Sequence, residues 1–423
     1  MIHLSTSLQY YKRPDVQQAL LDHAEDKEIA IRFNDRFGKR PNILSYPDDI
    51  LSTAQQGATS FHASEELWRN PLQLTTLLKK EDLTNLRKGW DLILDIDCQE
   101  FEYSKLAAEL IIDAFKAHGI HSFSIKFSGN KGFHLGIPFE AFPEKIGSTE
   151  TEFLFPEAAQ RIALYLKETI KAPLKEKVLA FENNDFSSIL KKIDLTEKEV
   201  NWEVQGVESF LVIDTVLISS RHLYRMPYSL HEKSGLVSLP FPPHKLKDFT
   251  REIATPESVK VDQVFLDRST AVKNNALNLF IEAFDFNAKR PSPEKEKKRE
   301  YIIPEEAIPE QFFPPCIKKI LEGMEDGKKR ALFILINFLA SCGWDYDAIE
   351  KKVREWNKNN KEALKEVYLV SQLRYAKQQK KRILPPNCSN PAYYKDLRVK
   401  CEESICSRCH NPINYARRKA QAK

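Results

Sequence analysis

The stretch "WDLILDID", residues 90–97, admits few structural settings. An apolar run that ends in two aspartates fits a β-strand covered on both faces. Asp95 and Asp97 stand two residues apart, so on a strand both carboxylates leave the same face. Two anions held that close repel unless protons or cations come between them. At the end of a buried strand, divalent cations are suited to that role. Oxygen donors of this kind favour Mg²⁺ or Mn²⁺, in sites that clamp in-line displacement at phosphorus with ions about 3.5–4 Å apart. The competing reading is an exposed strand end with helix-capping duty, and these residues alone leave both open.

The surroundings of this strand are those of an α/β (α+β) domain with a mixed sheet. "SKLAAELIIDAFKAHG", 104–119, carries Leu106, Leu110, Ile111, Ala114 and Phe115 on one helical face and stops at Gly119. "SFSIKFSG" (122–129), "FHLGIPF" (133–139) and "SFLVIDTVLI" (209–218) read as further strands. The last has a lone carboxylate, Asp214, which is costly to bury uncompensated. If that strand lies beside the first, Asp214 becomes a third metal ligand; if it ends there, Asp214 is merely exposed.

The clearest break in the chain is "FNAKRPSPEKEKKRE", 286–300, where two prolines flank a serine and a charge run follows without apolar periodicity. It predicts three parts: an α/β domain over 1–285, a charged linker over 286–303, and a mainly helical domain over 304–423. In the last part, 316–324, 330–343 and 346–360 read as helices, the second apolar on nearly every face. No apolar run is long enough to span a bilayer and no signal peptide is visible, so the expectation is a cytoplasmic protein.

Charge and cysteine are both unevenly spread. Residues 371–423 hold 13 Lys and Arg against 3 Asp and Glu, a net +10, while the whole chain carries only +4. A basic block beside tyrosines suggests a phosphate-rich partner, with a solvated tail as the plainer alternative. Cys98 stands alone in the first 300 residues, whereas Cys316, Cys342, Cys388, Cys401, Cys406 and Cys409 crowd the last part. An odd total in a cytosolic chain argues against a disulfide framework and for metal or cluster ligation.

"KFSGNKGFHLGIP", 126–138, packs a glycine-flanked turn between two short strands. Such a turn exposes backbone N–H groups that form an anion-binding concavity, and Ser128, Lys131 and His134 add donors. Next to a strand ending in paired aspartates it reads as a triphosphate cradle; by itself it could be a plain hairpin. After Asp214, "SSRHLYRMPYSLHEKSG" sets Arg221, Arg225 and His231 around Pro227.

Taken in order, these features resemble the small catalytic subunit of archaeal and eukaryotic DNA primases. The resemblance covers roughly residues 8–245, including "KEIAI" (27–31), "LWRNP" (67–71), "DLILDID", "KFSGNKGFHLGIP" and "IDTVLISSRHLYRMPYSLHEKSG". It implies that Asp95, Asp97 and Asp214 hold the catalytic Mg²⁺ or Mn²⁺. It also implies that Ser128, Gly129, Lys131 and His134 bind the nucleoside triphosphate, with Arg225 and His231 on the same phosphates. Three departures stand out. Asn130 occupies a position that is usually basic in the family, the family's REF-like segment reads Lys27–Glu28–Ile29, and the zinc stalk common in the family is missing.

The last part resembles a different primase piece, the iron–sulfur domain of the large subunit. The matching features are "FPPCIKKIL" (313–321), Arg330, "REWNKNN" (354–360), "YLVSQLRYA" (368–376) and "LPPNCSNPAYYKDL" with the cysteines beyond it. The resemblance implies a [4Fe–4S] cluster held by four thiolates. Cys316 and Cys388 align with the first two ligands and Cys401 and Cys406 are chosen for the others, with Cys409 as an alternative ligand. Zinc is the other reading, since spacing alone does not separate it from iron. Cys342 reads as core.

The implied activity is primer synthesis by a DNA-dependent primase on single-stranded DNA. The implied partners are the template, nucleoside triphosphates and the primer/template duplex, with no membrane, and with a monomeric chain or replisome partners both open. The helical domain would help to start a strand, with Arg330, Tyr368 and Arg374 as candidates for gripping the initiating nucleotide. Two rivals remain: a primer-extending repair or end-joining polymerase of the same superfamily, against which the C-terminal cysteines argue, and a non-catalytic nucleic-acid-binding replisome protein.

Overall fold

The computed structural model describes residues 3–33, 36–75, 78–193, 211–213, 218–289, 304, 306–378, 383–390, 393–394, 397, 399, 406 and 409–421. The chain forms two compact units, Met1–Pro293 and Glu294–Lys423.

The first unit contains β1 (Lys27–Phe33), β2 (Arg36–Phe37), β3 (Ser60–Trp68), β4 (Arg87–Trp90), β5 (Leu92–Cys98), β6 (Ser124–Phe127), β7 (Phe133–Ile137), β8 (Lys145–Ile146), β9 (Thr149–Glu150), β10 (Leu211–Ile213), β11 (Leu223–Arg225) and β12 (Pro240–Phe241). One five-stranded sheet runs β11–β3–β1–β2, with β4 also on β3; the other runs β10–β5–β7–β6–β12. β4 and β5 are nearly one strand that passes between the sheets at Asp91. That joint is pinned by a buried ion pair, Lys27 Nζ to Asp91 Oδ2 at 2.5 Å, with Arg268 on the same oxygen at 3.0 Å.

Every described pairing in both sheets is antiparallel, where the sequence suggested a mixed sheet. The reason lies in the crossover. Helix Phe101–Ala117 returns the chain in the direction of β5, but β6 does not pair with β5, because the hairpin strand β7 inserts between them. The helix begins three residues before the expected Ser104, since Phe101 packs on Phe127 and Phe133. Its buried face meets the far side of β5, where Leu92, Leu94, Ile96 and Cys98 are all buried.

The start of the expected linker needs correction. Helix Leu277–Lys289 runs through 286–289, because its Leu279, Phe280 and Ala283 are buried against the core. Residues 290–303 lie outside the described residues. In the second unit the three expected helices appear as Pro315–Leu321, Lys328–Ser341 and Tyr346–Asn359, followed by Glu366–Gln378 and Pro412–Gln421. Ten residues of the central helix, from Ala331 to Ser341, are buried. Trp356 packs there, its indole N–H donating to the Ile320 carbonyl at 2.8 Å, and burying such a side chain stabilises by about 2–3 kcal/mol.

Candidate functional site

The alternation of β5 sets the site. Leu92, Leu94 and Ile96 point into the core, so Asp95 and Asp97 necessarily leave the opposite face, and both are exposed there. Register then builds a row across three strands: Lys126 of β6 pairs with His134 of β7, which pairs with Asp95 of β5. The contacts follow the row. His134 Nε2 lies 3.3 Å from Asp95 Oδ1, and Lys126 Nζ lies 3.0 Å from His134 Nδ1.

The turn between β6 and β7 closes on both neighbours. Ser128 N–H donates to the Gly132 carbonyl at 2.9 Å. Gly132 has no room for a side chain: a Cβ there would stand 2.3 Å from the Ile96 carbonyl oxygen, which brings the turn against β5 beside Asp97. Gly129 adopts φ +102°, and a Cβ on it would meet His231 Cβ at 2.7 Å. So the turn also leans on the segment after β11, where Ser234 Oγ donates to the Gly129 carbonyl. His231 Nδ1 accepts backbone N–H groups from Lys233 (3.3 Å) and Ser234 (3.2 Å), which leaves its Nε2 carrying the proton.

Asp95, Asp97, Ser128, Lys131, His134, Arg225 and His231 thus line one cavity of about 240 Å³, with Asn130, Glu65, His62 and His222 also on its wall. The basic side chains have protein partners of their own. The Arg225 guanidinium is buried and held by Glu232 at 2.8 Å and by the Leu230 carbonyl at 2.9 Å. Arg221, which the sequence grouped with it, forks onto the buried Glu28 instead, with contacts of 2.9 and 2.6 Å. Lys131 is exposed and donates to the Gln99 carbonyl at 3.0 Å.

The electrostatics set the two carboxylates apart. Desolvation first, then the negative charge of Asp95, push the Asp97 carboxyl up to about 6, with Lys131 opposing. Desolvation would raise Asp95 as well, but His134 and Lys126 outweigh it and hold its pKa below the usual carboxylate range. Burial, then the charge of Arg225, lowers His231 to about 4, so at neutral pH it is an uncharged hydrogen-bond donor. The donor set at the mouth, two oxygen anions on one strand face, fits a hard divalent cation. Among the described residues, no group of three or more His, Cys, Asp or Glu converges on a metal position. The expected third acid, Asp214, lies outside the described residues. The strand leading to it, β10, does run beside β5, with Val212 opposite Asp97.

In the second unit, Cys388 N–H donates to the His410 carbonyl at 2.9 Å and Cys409 N–H to the Cys406 carbonyl at 3.0 Å. Cys316 and Cys409 are buried, and Arg418 Nη1 lies 3.9 Å from Cys409 Sγ. Cys401 is outside the described residues. Cys342 is fully buried in the apolar helix, and burial pushes its thiol pKa far up. Lys329, next to Arg330, stands 5.1 Å over the Tyr368 ring, and Arg374 is exposed further along the Tyr368 helix.

Residues 94–243 match the family model for the DNA primase small subunit. Residues 306–421 match that for the eukaryotic and archaeal DNA primase large subunit, C-terminal domain. The two matches fall on separate stretches of one polypeptide. An uncharacterised protein of Methanocaldococcus jannaschii is 24% identical over 284 residues, covering 63% of this chain and 61% of that one. The DNA primase small subunit of Pyrobaculum islandicum is 30% identical over 200 residues, 40% of this chain and 57% of that one. The chain thus spans about three-fifths of the length of these relatives. Among solved structures, the polymerase domain of Mycobacterium tuberculosis ligase D in complex with DNA is similar at a TM-score of 0.37. Its identity is 16% over 68% of this chain and 89% of that one.

Several residues that line this cavity or hold its lining residues in place carry no motif signal. Lys126 is one, although a lysine inside the apolar strand "SFSIKF" breaks the pattern and could have been flagged. Glu65 is another: fully enclosed in β3, it receives His222 Nδ1 at 2.8 Å, and only the pairing of β11 with β3 brings the two together. Glu232, which holds Arg225 and also Arg32 at 2.9 Å, is the third.

Proposed function

We propose that the chain is a DNA-dependent primase, a nucleotidyltransferase that synthesises short primers on single-stranded DNA. The observation that carries this reading is the set of groups gathered in one cavity. The paired aspartates and His134 stand side by side on one sheet face, and the glycine turn with Lys131, together with His231, lines the same cavity, in a chain that also matches the large-subunit domain. Asp95 and Asp97, with Asp214, would hold Mg²⁺ or Mn²⁺, which when bound would supply charge stabilisation and a more nucleophilic primer hydroxyl. The chain's own groups do the positioning. His231 Nε2–H, fixed by two backbone donors at its Nδ1, would donate to a triphosphate in the cavity, and His134, beside Asp95, would flank it. Ser128, Gly129 and Lys131 would shape the cradle, and Arg225, set in place by Glu232, would add charge behind it.

The thiol set of the second unit suits a soft metal group, and we assign Cys316, Cys388, Cys401 and Cys406, with Cys409 as an alternative ligand, to a [4Fe–4S] cluster, which would tie the ends of the helical unit together. Arg330, Tyr368 and Arg374 are assigned to the initiating nucleotide. The partners would be single-stranded template, primer/template duplex and nucleoside triphosphates, in the cytoplasm. No helix among the described residues is long and apolar enough to cross a membrane.

The test is nucleotide incorporation on a primed template with Mg²⁺ or Mn²⁺, comparing wild type with Asp95→Ala. Metal-dependent incorporation that the substitution abolishes, with the melting profile retained, supports the reading. Equal incorporation by both proteins refutes it.

A further inference from the structure

We propose that Lys126 is a positioning residue for nucleotide binding: it holds His134 as the tautomer whose proton sits on Nε2, facing the cavity. The inference rests on the primase reading for its consequence in catalysis, and on geometry alone for the tautomer.

Lys126 is completely buried. Among the described residues no carboxylate pairs with it, and burying an ammonium without a counter-ion is expensive. Its Nζ has two polar neighbours, Ser238 Oγ at 2.8 Å and His134 Nδ1 at 3.0 Å. Ser238 already commits its hydroxyl proton to the Phe127 carbonyl at 3.0 Å, so it accepts from Lys126. At the other end of the row, His134 Nε2 faces the Asp95 carboxylate, which only accepts. Every proton in the row Ser238–Lys126–His134–Asp95 therefore runs one way. Lys126 donates to Nδ1, Nδ1 has no proton, and Nε2 carries it. The Tyr224 and Phe265 rings, with centroids 5.8 and 5.3 Å from Nζ, leave the amine little room to turn away.

The consequence appears when Asp95 turns to a cation. The carboxylate then no longer selects the tautomer, and Lys126 alone keeps the Nε2 proton available for a phosphate oxygen. Without it, the imidazole could equally carry its proton on Nδ1 and present a lone pair to an anion. A methionine at 126 would fit the same aromatic wall, so Lys126→Met should fold.

The experiment uses the full chain with ¹⁵N-labelled histidine. Long-range ¹H–¹⁵N correlation reads the ring of His134, assigned by the signal lost in His134→Asn. In an Asp95→Ala background, which removes the carboxylate, His134 should remain in the Nε2–H form with Lys126 present and shift to a mixture of tautomers with Lys126→Met. Lys126→Arg, which keeps a donor, should hold the Nε2–H form. In the otherwise native protein, Lys126→Met should raise KM for the incoming nucleotide about tenfold, the worth of one such hydrogen bond, with kcat and primer/template affinity little changed. An unaltered tautomer in the Met variant, or loss of the Nε2–H form in the Arg variant, overturns the proposal. A wild type without metal-dependent incorporation would instead overturn the functional reading and leave the tautomer result standing.

Discussion

Replacing Asp97 with asparagine should stabilise the metal-free protein, against the usual direction of point substitutions. Desolvation and the neighbouring Asp95 raise the Asp97 carboxyl from 3.8 to about 6. A carboxyl whose folded pKa lies above its unfolded value makes no difference to stability below pH 4. It becomes destabilising as pH rises from about 4 to about 6, because the unfolded chain ionises first. Two pKa units correspond to about 3 kcal/mol. Asp97 is exposed, so solvent screening reduces this to about 1 kcal/mol above pH 6.5. In a unit of this size that is about 2 °C in Tm. The assay is scanning calorimetry of the full chain in chelator at pH 3.5 and pH 7.5, then at pH 7.5 with Mn²⁺. Asp97→Asn should match wild type at pH 3.5, melt about 2 °C higher at pH 7.5, and fall below wild type once Mn²⁺ is present. A variant that is less stable than wild type in chelator at pH 7.5, with a gap Mn²⁺ does not change, would refute the claim that the two carboxylates strain against each other to hold a cation.

Gly129→Ala forces a side chain into a left-handed backbone position and against His231 Cβ at 2.7 Å. It should cost about 1–3 kcal/mol of stability and raise KM for nucleotide, as read by melting and by steady-state extension. Protein purified without oxygen should be brown, with about four irons per chain. Cys316→Ser or Cys388→Ser should bleach it and Cys342→Ser should not; stoichiometric zinc in place of iron would remove the cluster assignment.

The paired aspartates were legible because period-2 alternation fixes their common face whatever the sheet topology. The glycine turn was legible for a similar local reason: Gly129 and Gly132 mark a tight approach of backbone to its neighbours, and the approach proved to be to His231 and Ile96. What was not legible depends on which strands become neighbours. Lys126 meets His134 only through the β6–β7 register, and Glu65 meets His222 only because β11 docks on β3, 157 residues away in sequence. Arg221 shows the converse. The sequence grouped it with Arg225 and His231 around Pro227, but the buried Glu28 of β1 holds it. The mixed sheet failed on the same ground, since the sequence shows that a helix returns the chain but not that β7 comes between.

Starting a strand requires two nucleotides to be held at once with no duplex to help, which is entropically harder than extending a primer. The most direct measurement is therefore synthesis on bare, unprimed single-stranded DNA by the full chain and by a 1–290 truncation, each also given a pre-annealed primer. The full chain should start and extend strands in a metal-dependent manner, while the truncation extends the primer but fails to initiate. A full chain that extends primers yet never starts one would mean that it is a polymerase rather than a primase. Wild-type initiation by the truncation would show that the helical unit serves some other task.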